Sequence, residues 1–454
     1  MKRFRTVSCL LCVLFLGALL LPCARALEAP RITAGAALLM DANNDAALYE
    51  KNADEKMYPA SLTKIMTALL TIEAVEDGRL SMDQTITASA TFMSGLSANG
   101  STQNIVSGER LTLRDLIYCL LVASANESAN ILAEAVSGSV ADFVAAMNAR
   151  AQELGCTGTH FANPHGLHDP DHYTTARDLY RITRAAMEHE IFRTVVSAKK
   201  YQVPETNMHD ARLFYSTNAL IVTWYYRESY LYDKAIGVKT GTTDEAGYCL
   251  ISAAVDGEEY EICVILKTQP VKNAAGVITD RRQFTESRDL LKWGFANFIR
   301  RDIVETETPL AQVAVTLSDV DHVLVHPAKG LTCTLPRDVK SEDIKQEIVL
   351  DAETVEAPVA EGEKLGHLIL TLDDKELGRV DLVAVTAAER SSLLYRVHQL
   401  GSFVGGAGLR LAVAAAALIA GIVVLRLTAF RPRARRYGPR RRRAPRNYTG
   451  RRRR

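Results

Sequence analysis

Cysteine is too sparse and too unevenly placed for a disulfide framework. Of the eight, Cys9, Cys12 and Cys23 fall within the first 26 residues. The other five, Cys119, Cys156, Cys249, Cys263 and Cys333, are an odd number set mostly among apolar neighbours. They read as buried free thiols. No CxxC pair lies beyond residue 26, which removes the commonest zinc and redox arrangements. Acid is missing from the last 24 residues, which hold 13 arginines; the chain before them therefore carries a net charge of −12, thirteen below the +1 of the whole. The basic charge is segregated and describes the tail rather than the body. What remains, 454 residues that are 48% hydrophobic and 24% charged, excludes a disordered chain and suffices for two or more packed domains.

The N-terminus begins with Lys2, Arg3 and Arg5, continues as an apolar run to about Leu21, and reaches a small-x-small site at Ala24-Arg25-Ala26. This is the layout of a secretory signal peptide over 1–26, with a mature chain from Leu27 outside the membrane. Near the other end, 411–425 (LAVAAAALIAGIVVL) contains no polar side chain. Fifteen helical residues cover roughly 22 Å, short of the ~30 Å hydrocarbon core, so flanking residues must extend the span. Arg410 and Arg426 can snorkel outward, giving a transmembrane helix over 403–430. The arginine block at 431–454 places that end in the cytoplasm, against anionic lipid, and the body outside. No nucleic-acid partner is expected from a basic tail held at a membrane.

From about Ile32 to Phe298 short strand-like runs mix with helical periods. AGAALLMD (34–41) and AALYEKN (46–52) read as a hairpin, as do YCLISAAVD (248–256) and EYEICVILK (259–267) around Gly257-Glu258. Between them helical spacing covers 61–73, 113–123, 125–136, 140–154 and 175–187, with another helix at 286–298. Strands at both ends with helices between them predict an α+β domain on an antiparallel sheet. After Arg301 the runs LAQVAVTL, HVLVHP, LTCTLP, KQEIVL, GHLILTLDD and RVDLVAV, cut by Pro, Gly and Asp, predict a small separate β-domain.

Three short motifs carry chemistry. In YPASLTKIMTA (58–68), Ser61 opens a helix and Lys64 lies one turn on, so the two can meet. A lysine of lowered pKa can take the proton that makes serine a nucleophile. Ser197-Ala198-Lys199-Lys200 matches the same pattern, but a strand-like YQVP follows it. The second motif is Ser124-Ala125-Asn126, at a helix junction, where a hydroxyl and an amide two residues apart suit proton relay and carbonyl binding. Ser97-Ala98-Asn99 is its rival, set in a Gly- and Ser-rich loop without flanking apolar elements. The third, GVKTGTT, places Lys239, Thr240 and Gly241 beside a strand; a lysine near Lys64 depresses its pKa and attracts a carboxylate, and glycine admits a close ligand. Each motif alone is weak, and the ordered set is specific.

With those three in order the chain resembles the penicillin-interacting serine family, most closely the low-molecular-weight penicillin-binding proteins that are D-alanyl-D-alanine carboxypeptidases of the serine (S11) type. FANPHGLHDPDHYTTARDL (161–179) and KTGTTDEAGYCLISAA (239–254) are similar to internal stretches of that subgroup. The resemblance implies a penicillin-binding transpeptidase/β-lactamase-like α+β domain over 27–302, a β-rich domain over 303–390, and a cell-membrane protein with one C-terminal span. It further implies Ser61 as acylated nucleophile, Lys64 as its base, and Ser124 and Asn126 as aids to proton transfer and amide binding. Lys239 and Thr240, with Gly241, would receive the terminal carboxylate, and the N–H groups of Ser61 and Thr242 would form the oxyanion hole. Peptidoglycan stem peptides are the implied substrate and β-lactams the implied inhibitors, with no cofactor and no metal. Ala125 stands where the subgroup usually has glycine, and the arginine expected before the last helix is either Arg281 or Arg282, one residue out of spacing. His165, His168 and His172 read as loop packing rather than zinc ligands. Endopeptidase, β-lactamase and non-catalytic wall-binding readings stay open, although the glutamate a β-lactamase needs is not identifiable.

Overall fold

The computed structural model describes residues 28–97, 100–226 and 229–429. The expected signal peptide and the arginine-rich tail lie outside them, as do Ala98 and Asn99 of the rival Ser-x-Asn motif. Contacts divide the chain into two units, one of residues up to Val304 together with Gly330–Lys345, the other of Glu305–Lys329 and Gln346 onward.

In the first unit five antiparallel strands form one sheet: β1 (Ala36–Asp41), β2 (Ala46–Lys51), β3 (Ala235–Thr243), β4 (Gly247–Asp256) and β5 (Glu259–Thr268), in the order β2-β1-β5-β4-β3. β1 is buried along its length because alternate side chains meet different cores. Leu38 and Met40 join Ile65 and Leu69 on one face; Ala37 and Leu39 join Leu290, Leu291 and Phe295 on the other. The first face is covered by α1 (Lys64–Glu76), α2 (Leu113–Leu121), α3 (Asn126–Ser137), α4 (Val140–Glu153), α5 (Ala176–Glu188) and α6 (Glu190–Val196), the second by α7 (Arg282–Asn297). Capping fixes where several begin: Thr112 and Asp115 cap α2 reciprocally, Ser139 accepts from Asp142 N–H before α4, and Thr175 accepts from Asp178 N–H before α5. The α+β reading with strands at both ends and helices between holds.

One strand of this sheet is less legible in the sequence than the rest. β3, the strand carrying Lys239 to Thr242, was read only as a stretch beside a strand, because glycine and threonine blur its period. LTCTLP forms strand Leu331–Pro336 and pairs with Phe298–Val304, in register Ile299 to Leu335 and Arg301 to Cys333, and by contacts this strand pair groups with the first unit.

The second unit holds a six-stranded sheet ordered Lys345–Leu350, Lys364–Leu372, Lys375–Ala384, His322–Pro327, Ala311–Thr316 and Thr354–Glu356. Helices Ser392–Gly405 and Ala407–Ala429 follow, so the expected span at 403–430 begins as the end of the earlier helix and is interrupted at Gly406. Gly408–Ala429 is apolar and long enough to cross a membrane, with mean hydropathy 2.3. All five cysteines beyond residue 26 are buried, and burial raises the thiols of Cys119, Cys156, Cys249, Cys263 and Cys333.

Candidate active site

Ser61 stands in a single 3-10 turn, Ala60–Thr63, that runs directly into α1. Lys64 is the first residue of that helix and is fully buried. Its Nζ lies 2.9 Å from Ser61 Oγ, 2.8 Å from Asn126 Oδ1 and 2.6 Å from the His165 carbonyl oxygen. Three partners around one amine define its chemistry. Asn126 Oδ1 and the His165 carbonyl are acceptors only, while a serine hydroxyl can accept or donate. A protonated Lys64 satisfies all three contacts by donating to each, whereas a neutral one, with two N–H groups and a lone pair, donates to the two carbonyls and accepts the Ser61 proton. Burial, and next the charge of Lys239, push the Lys64 pKa well below the usual amine range, with Glu127 opposing. That shift works toward the neutral amine, whose lone pair can accept from the Ser61 hydroxyl.

The second motif comes from the α2–α3 junction. Ser124 adopts a left-handed φ of 64°, uncommon for serine and held by its surroundings: Ala125 N–H donates to the Cys119 carbonyl at 2.9 Å and Asn126 N–H to the Ser101 carbonyl at 2.9 Å. That backbone turns Ser124 Oγ toward Lys239 Nζ, 2.9 Å away. Lys239 is also buried; it donates to the Thr240 carbonyl at 2.9 Å, and burial lowers its pKa to about 7. Thus Ser61, Lys64 and Asn126 form one hydrogen-bonded group and Ser124 with Lys239 another, with the two lysines electrostatically coupled. Thr240 Oγ1 meets Thr217 Oγ1 at 2.6 Å. At Gly241 a Cβ would sit 2.9 Å from the Pro59 carbonyl oxygen and 3.2 Å from Ser61 N, so only glycine lets β3 lie against the turn that holds Ser61. Thr242, next along the strand, is exposed.

A loop over 160–174 braces this turn from behind. Gly166 has φ +84°, and a Cβ there would lie 1.9 Å from the Ala60 carbonyl oxygen. Thr67 Oγ1 donates to the Pro164 carbonyl at 2.6 Å. His172 accepts from Ala162 N–H through Nδ1 at 3.1 Å, which assigns its proton to Nε2; Nε2 then donates to Thr63 Oγ1 at 2.8 Å, and Thr63 donates to the Ala60 carbonyl at 2.8 Å. His165 accepts from Leu167 N–H at 3.1 Å, and His168 meets the Tyr58 ring edge-on at 4.7 Å. Burial lowers His165 to about 3 and His172 to about 4, so both are neutral braces. The three rings pack within the loop.

Sequence reasoning missed the His165 carbonyl and Thr217. A backbone acceptor has no signature, and Thr217 sits in no motif. Of the arginines, Arg282 donates to Thr33 Oγ1 at 2.7 Å, while Arg281 lies over the Tyr226 ring at 4.4 Å with its N–H on Tyr230 Oη. Among the described residues neither guanidinium bonds Lys239 or Thr240. The rival Ser197 ends α6, is exposed and donates to Thr194.

Comparison with known proteins adds to this geometry. A family model described as D-alanyl-D-alanine carboxypeptidase matches residues 24–269, and one described as penicillin-binding protein 5, C-terminal domain, matches 298–390. D-alanyl-D-alanine carboxypeptidase DacA of Haemophilus influenzae is 30% identical over 78% of this chain and 84% of its own. DacC of Escherichia coli K12 is 30% identical over 82% and 88%. The crystal structure of penicillin binding protein 5 from Haemophilus influenzae aligns with TM-score 0.65 and 28% identity, covering 80% of this chain and 99% of that one.

Proposed function

The chain belongs to the D-alanyl-D-alanine carboxypeptidase family of serine peptidases, and we propose that Ser61 is the residue through which it acts. The family is hydrolytic, acts on peptidoglycan stem peptides and is acylated by β-lactams. The observation that carries the assignment is the placement of buried Lys64, whose Nζ lies 2.9 Å from Ser61 Oγ and, when neutral, can accept its proton.

In the proposed sequence the terminal carboxylate docks at Lys239 and Thr240, whose partner Thr217 fixes the hydroxyl. The penultimate D-alanine carbonyl lies over Ser61 with its oxygen toward the N–H groups of Ser61 and Thr242. Ser61 attacks as Lys64 takes its proton; the tetrahedral intermediate collapses, the amine of the terminal D-alanine leaves with a proton passed through Lys64 or Ser124, and water hydrolyses the ester. Ser124, bonded to Lys239, and Asn126, bonded to Lys64, hold the two lysines in register. The apolar helix Gly408–Ala429 fits a membrane anchor. With the basic tail on the cytoplasmic side, the catalytic unit works outside the membrane.

The test is D-alanine release from a stem pentapeptide by the full chain in detergent and by its Ser61→Ala variant. Release by the first and none by the second is expected; equal release by both removes Ser61 from the mechanism.

A further inference from the structure

β3 is an edge strand: β4 pairs with one side of it, and the other lies along the nucleophile turn. A peptide that joins such an edge runs along it with a rise of about 3.4 Å per residue. On the reading above, to which this inference is tied, the terminal carboxylate sits at Thr240 and the scissile carbonyl at Thr242. The substrate is therefore antiparallel to β3, and its upstream residues pass Thr243 toward Ala246. The second residue upstream lies roughly 7 Å beyond Thr242.

A cavity of about 260 Å³ opens there, lined by Lys56, Tyr58, Tyr173, Glu245, Ala246 and Lys267. Both catalytic segments feed it, since Tyr58 precedes Ser61 by three residues and Ala246 follows Thr242 by four. Its walls are fixed. Met57 pairs with Thr174 through N–H···O bonds of 2.7 and 2.9 Å, which holds Lys56 and Tyr58 beside Tyr173. Lys56 Nζ stands 3.9 Å from the Tyr173 ring centroid. Ala246 N–H is tied to Thr243 Oγ1 at 3.0 Å. The charges are not spent on one another: Lys56, Lys267 and Glu245 are all exposed, and none makes a salt bridge among the described residues. Two unpaired cations and one anion in a concave site on the path of the substrate make a receptor for a carboxylate, with Glu245 placed to meet an ammonium beside it.

We propose that this cavity is a specificity subsite for a carboxylate of the stem peptide upstream of the scissile bond, bound by Lys56 and Lys267. Two sources carry that chemistry: the distal carboxylate of a diaminopimelate in the third position, whose neighbouring ammonium suits Glu245, and the α-carboxylate of the γ-linked glutamate before it. Such contacts are remote from the reacting atoms, so their binding energy enters kcat/KM through positioning.

The experiment measures kcat/KM for D-alanine release by the full chain and by its Lys56→Gln, Lys267→Gln and double Lys→Glu variants. The substrates are the diaminopimelate pentapeptide, its lysine and isoglutamine analogues, and diacetyl-L-lysyl-D-alanyl-D-alanine, which has no upstream carboxylate. Loss of a charged hydrogen-bond partner predicts a fall of about 10- to 100-fold for the double variant on the diaminopimelate pentapeptide. The diacetyl tripeptide and the rate of acylation by penicillin change little. A wild-type preference that vanishes with lysine assigns the diaminopimelate end, and one that vanishes with isoglutamine assigns the glutamate. Equal losses on pentapeptide and tripeptide, or loss on neither, overturn the subsite. Failure of the wild-type chain to release D-alanine from the tripeptide overturns the carboxypeptidase reading instead.

Discussion

Substituting Gly166 by alanine tests how the nucleophile turn is held. The new Cβ would lie 1.9 Å from the Ala60 carbonyl oxygen, where ordinary C···O contacts need about 3.3 Å, so something must move by roughly 1.4 Å. That carbonyl belongs to the same planar peptide as Ser61 N–H, so displacing one end tilts the other. The donor proposed for the oxyanion is thereby misaimed. A misplacement of about 1 Å costs on the order of 10²-fold, and loss of one oxyanion donor about 10²- to 10³-fold, which sets the expected fall in kcat. Left-handed backbone adds a stability cost of about 1–2 kcal/mol, which corresponds to a Tm lower by a few degrees. Gly78 supplies the control: its φ is +76° and a Cβ there meets nothing within 4 Å, so Gly78→Ala has the backbone strain without the collision. The assay pairs calorimetry with the second-order rate of acylation by a fluorescent penicillin. Both variants lose stability and only Gly166→Ala loses acylation; wild-type acylation in a folded Gly166→Ala variant refutes the bracing argument.

The remaining predictions concern protons. Burial sets the Lys239 pKa at about 7, so the free protein loses this cation as pH rises through that value, and kcat/KM falls on the alkaline side. A bound carboxylate keeps it protonated, so kcat lacks that limb; Lys239→Arg should remove the limb from kcat/KM as well, and a limb that persists there belongs to another group. Glu261, buried with no partner for Oε2, has its carboxyl raised to about 9, first by burial and then by Asp41, Glu259 and Asp256. The folded chain then holds a proton that the unfolded chain releases above about 4.5, so stability from this group is complete below that pH and is lost as pH climbs toward 9. Glu261→Gln removes the loss, which is on the order of 3 kcal/mol at pH 7. Its Tm advantage over wild type should grow from pH 5 to pH 8, and a constant difference would show that Glu261 is already ionised.

Much of this was legible because the apolar periods are strong where the core is continuous. β1 and β5 read as strands from their Ala, Leu, Ile and Val content, and α1 from Ile65, Leu69 and Ile72. The motifs were legible because Ser61 and Lys64 are neighbours on one turn. What was hidden is what tertiary structure alone creates. α6 is seven residues long and has too few turns to show a period. The strand Leu331–Pro336 has legible alternation, yet its pairing with Phe298–Val304, some thirty residues earlier, leaves no mark in the sequence. Lys64 depends on a carbonyl at His165, 101 residues away, and the close approach of Gly166 to Ala60 spans a similar distance in sequence. Composition marks neither.

In the proposed mechanism Ser61 is acylated because neutral Lys64 takes its proton. The most direct measurement is the intact mass of the full chain after brief exposure to penicillin, with the adduct located by peptide mapping, for wild type and for Lys64→Met. One penicilloyl group is expected on Ser61 in the wild-type chain and, since a general base contributes about 10²- to 10⁴-fold, an adduct that forms at least a hundred times more slowly in the variant. An adduct on any other residue, or one that forms at Ser61 equally fast without Lys64, would contradict it.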